Sequence, residues 1–177
     1  ENVRGIFDKT FDDYRHYIKT SIEAMGYVVF WELLNASDFR VPQLRPRAIL
    51  VAIRKEYAHT FEFPKENDRA VTVGEAIGDL LSTNGWKQAD QWKSKANTIA
   101  PTIVGGSKKH GGPDLGPTRA KKAWEKLGID GRGLANEAPE ADFEGMPRLT
   151  TRMVARIQGF PDYWEFYGGK TLVYRQI

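Results

Sequence analysis

Cysteine is absent from all 177 residues, which excludes a disulfide framework, a thiolate metal site and a cysteine nucleophile within this chain. Histidine is nearly as scarce: His16, His59 and His110 stand far apart, and no metal centre is expected from them. Apolar runs are short. None approaches the roughly 18 to 20 residues that a membrane-spanning helix requires, so no membrane partner is expected. The opening Glu1-Asn2-Val3 has neither an initiator Met nor a basic-then-apolar leader, and it reads as a cut through a longer protein. The string Gly105-Gly106-Ser107-Lys108-Lys109 lacks the Gly-x-x-x-x-Gly-Lys-Ser/Thr spacing needed to wrap a nucleotide phosphate.

What is present is enough for a core. The chain is 41% hydrophobic, with five Trp, seven Tyr and nine Phe, and its composition is that of a folded chain rather than a disordered one. Charge is spread unevenly. Between Trp86 and Gly133 there are ten Lys and Arg against four acids, a net +6 in a chain whose total is +3. A basic, glycine-rich middle between two better-ordered flanks suits either a polyanion-binding module or an ordinary solvated lysine face.

Phe7, Phe11, Tyr14, Ile18, Ile22 and Met25 recur at helical spacing, which predicts one amphipathic helix over 7–25 with Gly26 as its stop. Tyr27–Leu34 and Ala48–Ile53 are rich in aromatic and branched residues and read as buried, adjacent strands joined by a polar loop. Thr72-Val73-Gly74-Glu75 is a capping box opening a short helix through Leu81. Residues 84–117 show no sustained period and read as loops and short strands. Pro117 starts a helix with Ala120, Ala123, Trp124 and Leu127 on one face and Gly128 as the stop. Thr150 caps a last helix with Met153, Val154 and Ile157 inward, ended by Gly159.

Three strings stand in a telling order: Glu1-Asn2-Val3, then Gln43-Leu44-Arg45-Pro46-Arg47 before a strand, then Arg148-Leu149-Thr150-Thr151-Arg152 running into Ala155-Arg156-Ile157-Gln158-Gly159-Phe160-Pro161. In this order the chain resembles the C-terminal half of a DNA (cytosine-5)-methyltransferase, and Thr171–Ile177 resembles the approach to that family's last motif. Met153 departs from the family pattern, where an acidic residue is more frequent.

The resemblance implies an α/β fold: the C-terminal part of a Rossmann-like methyltransferase sheet, mainly parallel with its final strand antiparallel, with a small α+β target-recognition domain inserted. It divides the chain into catalytic-domain residues 1–72, a recognition domain 73–146 and a return segment 147–177. It implies double-stranded DNA as partner, S-adenosyl-L-methionine as the cofactor of the intact enzyme, and a missing N-terminal catalytic part carrying the Pro-Cys nucleophile and the main cofactor loop. A bacterial cytoplasmic, nucleoid-associated place in restriction-modification follows from the same likeness. The fragment alone would be inactive. Two other readings stay open, a non-catalytic DNA-binding protein and one subunit of a split methyltransferase.

Residue by residue, Glu1 matches the family glutamate that assists at ring nitrogen 3 of cytosine, and Asn2 the residue that holds the local backbone. Arg47 matches the arginine near the base oxygen at position 2, Arg45 a positioning or phosphate contact, and Gln43 a loop-ordering hydrogen-bonder. Thr102 and Ile103 match the family's Thr-aliphatic pair near the target base, with Thr98-Ile99 as the alternative. Around them Gly105, Gly106, Ser107, Lys108, Lys109 and His110 form a candidate DNA-reading loop, supplemented by Arg119, Lys121 and Lys122.

Overall fold

The structure, a computed structural model, describes residues 1–67, 69–104 and 112–177. It is mixed α/β with a small sheet. Strand β1 (Asn2–Val3) and strand β2 (Tyr27–Asn35) flank strand β3 (Pro46–Arg54), and both pairings are antiparallel. Strands β1 and β2 therefore run in the same direction, and β3, the last strand, lies antiparallel between them, which is the antiparallel final strand that the family likeness implied. Tyr27 faces Arg54 and Asn35 faces Pro46, so the nine-residue β2–β3 pair is in register along its whole length.

The two apolar runs are strands, yet they are not buried ones. No residue of β2 is buried, and in β3 only Ala48 is. The reason lies in the narrowness of the cover. Trp31 packs on Phe7 with ring centroids 5.9 Å apart, and the adjacent Phe30, pointing to the opposite face, meets Phe61 at 4.9 Å. Neither cover extends over the full width of the sheet.

Helix α1 (Asp12–Ala24) starts later than its periodicity suggests, after two single 3₁₀ turns, Arg4–Phe7 and Lys9–Phe11. Asp8 between them is extended, and the Arg15 guanidinium donates to the carbonyls of Ile6 (2.5 Å) and Asp8 (3.2 Å). That clasp satisfies carbonyls a continuous helix would have used. Gly26, at φ +91°, ends α1 as expected.

The main hydrophobic core lies in the second part of the chain. Helix α2 (Val73–Leu81) is opened by the expected capping box: Thr72 Oγ1 accepts from the Glu75 amide (3.2 Å) and the Glu75 carboxylate accepts from the Thr72 amide (2.9 Å). Helix α3 (Ala89–Lys95) occupies a stretch that reads as loop and strand in the sequence. Only seven residues long, it has a single turn-spaced apolar pair, Ala89 and Trp92, too short a signal for periodicity. Helix α4 (Thr118–Lys126) follows Pro117, and its Trp124 is fully buried. Helix α5 (Thr151–Ile157) begins at the Thr150 cap, and a terminal helix α6 (Lys170–Gln176) was not visible in the sequence pattern.

These helices share one core built on Val73, Ile77, Leu81, Trp92, Trp124 and Leu149, to which Met153, Val154, Ile157 and Tyr174 also belong. The core therefore runs across residue 146: the helices of the return segment are packed into the same interior as α2 to α4. Among the described residues no helix is long and apolar enough to cross a membrane.

Helix α2 lies close on α3 because Gly74 and Gly78 face it. A Cβ at Gly74 would collide with the Lys93 carbonyl, and one at Gly78 would lie 2.8 Å from the Lys93 side chain. The Gly74 amide meanwhile donates to the Ala96 carbonyl at 3.0 Å. Gly74→Ala is thus expected to destabilise the chain by about 1–3 kcal/mol through overpacking against backbone, more than Gly78→Ala, whose neighbour is a flexible stem. Thermal melts of the two variants measure the difference.

Candidate active site

The pairing of β1 with β3 sets Asn2 opposite Ala48 and Val3 opposite Arg47, and so carries Glu1 to the arginine loop 46 positions away. Arg47 Nε donates to Glu1 Oε1 at 2.8 Å, while its Nη1 donates to the Pro46 carbonyl, also at 2.8 Å. Pro46 suits the first position of β3, where its missing N–H costs no ladder bond. Asn2 turns its amide oxygen to the Val3 amide at 2.8 Å, which fixes the backbone immediately beside Glu1.

Arg45 stands beside this pair. Its amide donates to Asn35 Oδ1 (2.9 Å) and its Nη1 to the Ile103 carbonyl (3.4 Å). Burial, then the Arg47 guanidinium, hold the Arg45 pKa below its ordinary value, and Glu1 partly opposes them. Arg45 stays a cation all the same at any working pH. Two guanidinium groups and one carboxylate thus converge on one corner of the sheet. Because Glu1 is exposed, its bond to Arg47 is worth about 1 kcal/mol or less. A ligand with its own donor and acceptor edge can open the pair at little cost.

Gln43 is fully buried and carries most of the loop's order. Its Oε1 accepts from the Ile103 amide (3.1 Å), and its Nε2 donates to Gln158 Oε1 (2.8 Å) and toward the Ile157 carbonyl (3.5 Å). Alongside it Leu44 N donates to the Ala100 carbonyl (2.8 Å), Ala100 N donates to the Pro42 carbonyl (3.0 Å), and the Thr102 hydroxyl donates to the Leu44 carbonyl. The Gln43–Arg47 loop, the Ala100–Ile103 stretch and the end of α5 are therefore one hydrogen-bonded unit. Thr102 and Ile103 sit against the arginine loop. Thr98 instead serves the start of α2, where its carbonyl accepts from the Val73 amide at 2.8 Å.

The family model for C-5 cytosine-specific DNA methylases matches residues 1–177. This chain belongs to that family. It is 53% identical over 180 residues to the Type II methyltransferase M.NaeI of Lentzea aerocolonigenes, taking in 100% of this chain and 44% of that protein. To the Type II methyltransferase M.NgoMIV of Neisseria gonorrhoeae it is 44% identical over 181 residues, taking in 100% of this chain and 57% of that protein. The chain thus spans about half the length of the curated relatives it matches. Its fold is similar to that of a prophage-encoded Escherichia coli protein assigned as a DNA modification methyltransferase, with a TM-score of 0.50 at 17% identity, over 99% of this chain and 62% of that one.

The remaining sequence-predicted residues of this methylase chain are not all equivalent. Gly105, Gly106, Ser107, Lys108, Lys109 and His110 lie outside the described residues. Lys121 is half-buried and pairs with Asp114 at 2.6 Å. Arg119 and Lys122 are exposed on α4 and border a hollow with Thr118, Ala123 and Lys126. Lys121 is thus turned inward and engaged, while its two neighbours face outward.

Sequence reading missed the partners of the third motif. Arg148 Nε donates to Asp130 Oδ2 (2.9 Å), and Arg132 Nε donates to Asp130 Oδ1 (2.8 Å), where the Arg132 amide also donates (3.0 Å). Hydrogen bonds from Arg132, and then from Arg148, hold the Asp130 carboxyl far below the usual carboxylate range against the opposing effect of burial. The signal that could have found this clasp is the Asp-x-Arg spacing at 130–132, which lets one side chain meet its own neighbour's amide.

Two expectations follow. Gln43→Leu leaves buried partners at Ile103 and Gln158 without their bonds, and is expected to cost roughly 3 kcal/mol, read as a fall of several degrees in Tm. Asp130 has a folded pKa below its unfolded one, so its stabilisation is complete above about pH 4 and is lost as the pH falls below that. Asp130→Asn is accordingly expected to lower stability at neutral pH and to flatten the loss between roughly pH 4 and pH 2, measured by melting across that range.

Proposed function

We propose that this chain supplies the base-pocket and DNA-reading half of a DNA (cytosine-5)-methyltransferase. The observation that carries the reading is the corner where Glu1, Arg45 and Arg47 converge, hydrogen-bonded through Gln43 and Leu44 to Thr102 and Ile103. Carbon 5 of cytosine becomes nucleophilic only after addition at carbon 6, and the base must leave the duplex to be reached. The adding thiolate comes from outside these 177 residues, which contain no cysteine.

In this role the Glu1 carboxyl opens its bond to Arg47 as the flipped base arrives and faces ring nitrogen 3 and the exocyclic amine. There it shares a proton with nitrogen 3 as negative charge develops on the ring. Arg47 turns its planar guanidinium to the base oxygen at position 2. Arg45, braced on Asn35 and Ile103, keeps the pocket wall and the flanking phosphate in register, and Asn2 holds the backbone that aims Glu1. Thr102-Ile103 lines the approach to the target base, and residues 104–112 with Arg119 and Lys122 meet DNA by phosphate and groove contacts. Residues 1–72 and 147–177 serve as catalytic-domain parts and 73–146 as the recognition part.

S-adenosyl-L-methionine supplies the methyl group when bound to the intact enzyme. Its sulfonium is a cation, and the described corner offers two guanidinium groups to one carboxylate. This cluster therefore does not fit the cofactor.

The test is complementation. Alone, the chain is expected to transfer no methyl group to DNA and to bind duplex DNA with an affinity that falls steeply as salt rises. Combined with the N-terminal part of M.NaeI and with the segment that follows the matched region in that relative, it is expected to gain activity. In that assembly Arg47→Ala is expected to lower turnover roughly a hundredfold. Methyl transfer by the 177-residue chain on its own, or full turnover by Arg47→Ala, would overturn the reading.

A further inference from the structure

Helix α4 carries Arg119, Lys121, Lys122 and Lys126 on nine residues, and these cations fall into two groups. Arg119, Lys122 and Lys126 stand three and four positions apart, so at about 3.6 residues per turn they share about 60° of the helix circumference. All three are exposed, and with Thr118 and Ala123 they border a hollow of about 560 Å³. Ion pairs around the helix are made instead by Lys121, Arg132 and Arg148. Glu125, the one acid of α4, acts on Arg132, whose pKa is raised first by its hydrogen bond to Asp130, then by the Asp130 charge, and after these by Glu125.

The opposite side of α4 is fastened to the core. Trp124 is fully buried, and the Trp92 indole Nε1 donates to the Leu127 carbonyl, just past the end of the helix, at 2.8 Å. Lys121 pairs with Asp114, and Asp114 is itself fixed from α6. The Tyr174 hydroxyl lies 2.8 Å from the Asp114 carbonyl oxygen and 3.1 Å from that of Val104, and shares its single hydrogen between them. With Trp124 and Lys121 turned inward, α4 lies flat and cannot enter a groove as a free cylinder about 10–12 Å wide. What it turns outward is a low cationic stripe about 10 Å long, seven residues at about 1.5 Å each. The phosphates of one DNA strand recur about every 3.4 Å of duplex axis, so such a stripe matches about three of them. Ala123 leaves the floor of the stripe open, where a longer side chain would fill it.

We propose that the outer face of α4 grips the phosphate backbone of one DNA strand through Arg119, Lys122 and Lys126, without reading bases, and that Lys121 is a strut that seats the helix. The proposal rests on the reading of this chain as DNA-binding and deepens it: it narrows Arg119 and Lys122 to phosphate contacts and adds Lys126. Contacts of this kind position a duplex and set the salt dependence of its affinity, but carry no sequence information.

The experiment measures affinity against salt concentration for two duplexes of equal length and unrelated sequence. The wild-type chain is compared with the triple variant Arg119→Gln, Lys122→Gln, Lys126→Gln, with a control triple Lys9→Gln, Lys19→Gln, Lys55→Gln, and with Ala123→Leu. The control removes the same charge from three exposed positions in residues 1–72. The α4 triple is expected to reduce the slope of log affinity on log salt by about 2.7, or about 0.9 for each phosphate released, and the control by less than about 1. The α4 loss is expected to agree between the two duplexes within about fivefold, below the scale of a misread base pair. Ala123→Leu, which changes no charge, is expected to weaken binding about tenfold, the scale of one lost charge-assisted bond. Equal slope losses from the two triples would overturn the proposal in favour of diffuse attraction, and a larger difference between duplexes would overturn it in favour of base reading. Wild-type affinity in Ala123→Leu would also overturn it, since no strand would then be seated on the helix. A wild-type chain that binds neither duplex would instead defeat the DNA-binding reading on which the proposal stands.

Discussion

One primary amide, that of Gln43, is where the sheet, the 100–103 stretch and the end of α5 meet. Its partners lie 60 and 115 positions away along the chain, and it is sealed from water. An amide so placed must find both its donor and its acceptor partners within the protein, because an unmet polar group at such a site costs as much as several ordinary contacts gain. The geometry of Arg45 and Arg47 follows from it. Two residues downstream of a fixed point, Arg45 reaches the Ile103 carbonyl, and β3 begins in the register that brings Glu1 to Arg47.

The cations of the chain sort by how they are matched. Asp130 takes up Arg132 and Arg148, Asp114 takes up Lys121, and Arg156 lies between Asp79 and Asp162. Arg156 also donates to the Ala76 carbonyl at 3.1 Å, tying α5 to α2. Within the basic middle these pairings engage Lys121 and Arg132. Arg119, Lys122 and Lys126 lie exposed along α4, and Lys93 and Lys95 lie exposed at the end of α3, so these cations are shared between two helices.

Local chemistry was the part of the fold legible in the sequence. The Thr72 and Thr150 caps, the stops at Gly26, Gly128 and Gly159 and the two strands each depend on a few neighbouring residues, and each stands near where the pattern places it. Helix α3 was not legible because seven residues barely make a periodic face, and α6 because its one buried residue, Tyr174, is recognisable only through its distant partners. Burial of the strands was misjudged for a related reason: apolar content shows that a face wants cover, not whether the same chain provides it. At the site, the short motifs located Glu1, Gln43, Arg45 and Arg47, but the chain's own pattern could not show that Gln158 completes the Gln43 amide or that Lys121 is occupied by Asp114.

The meeting of Val104 and Asp114 at one hydroxyl also bears on how such a protein can change over time. The last helix thus holds two backbone positions ten residues apart in sequence, and any drift in α6 is felt at both together. A substitution at Tyr174 is therefore constrained by two partners far from it in sequence, so α6 and the Val104 and Asp114 positions are expected to change together rather than one at a time.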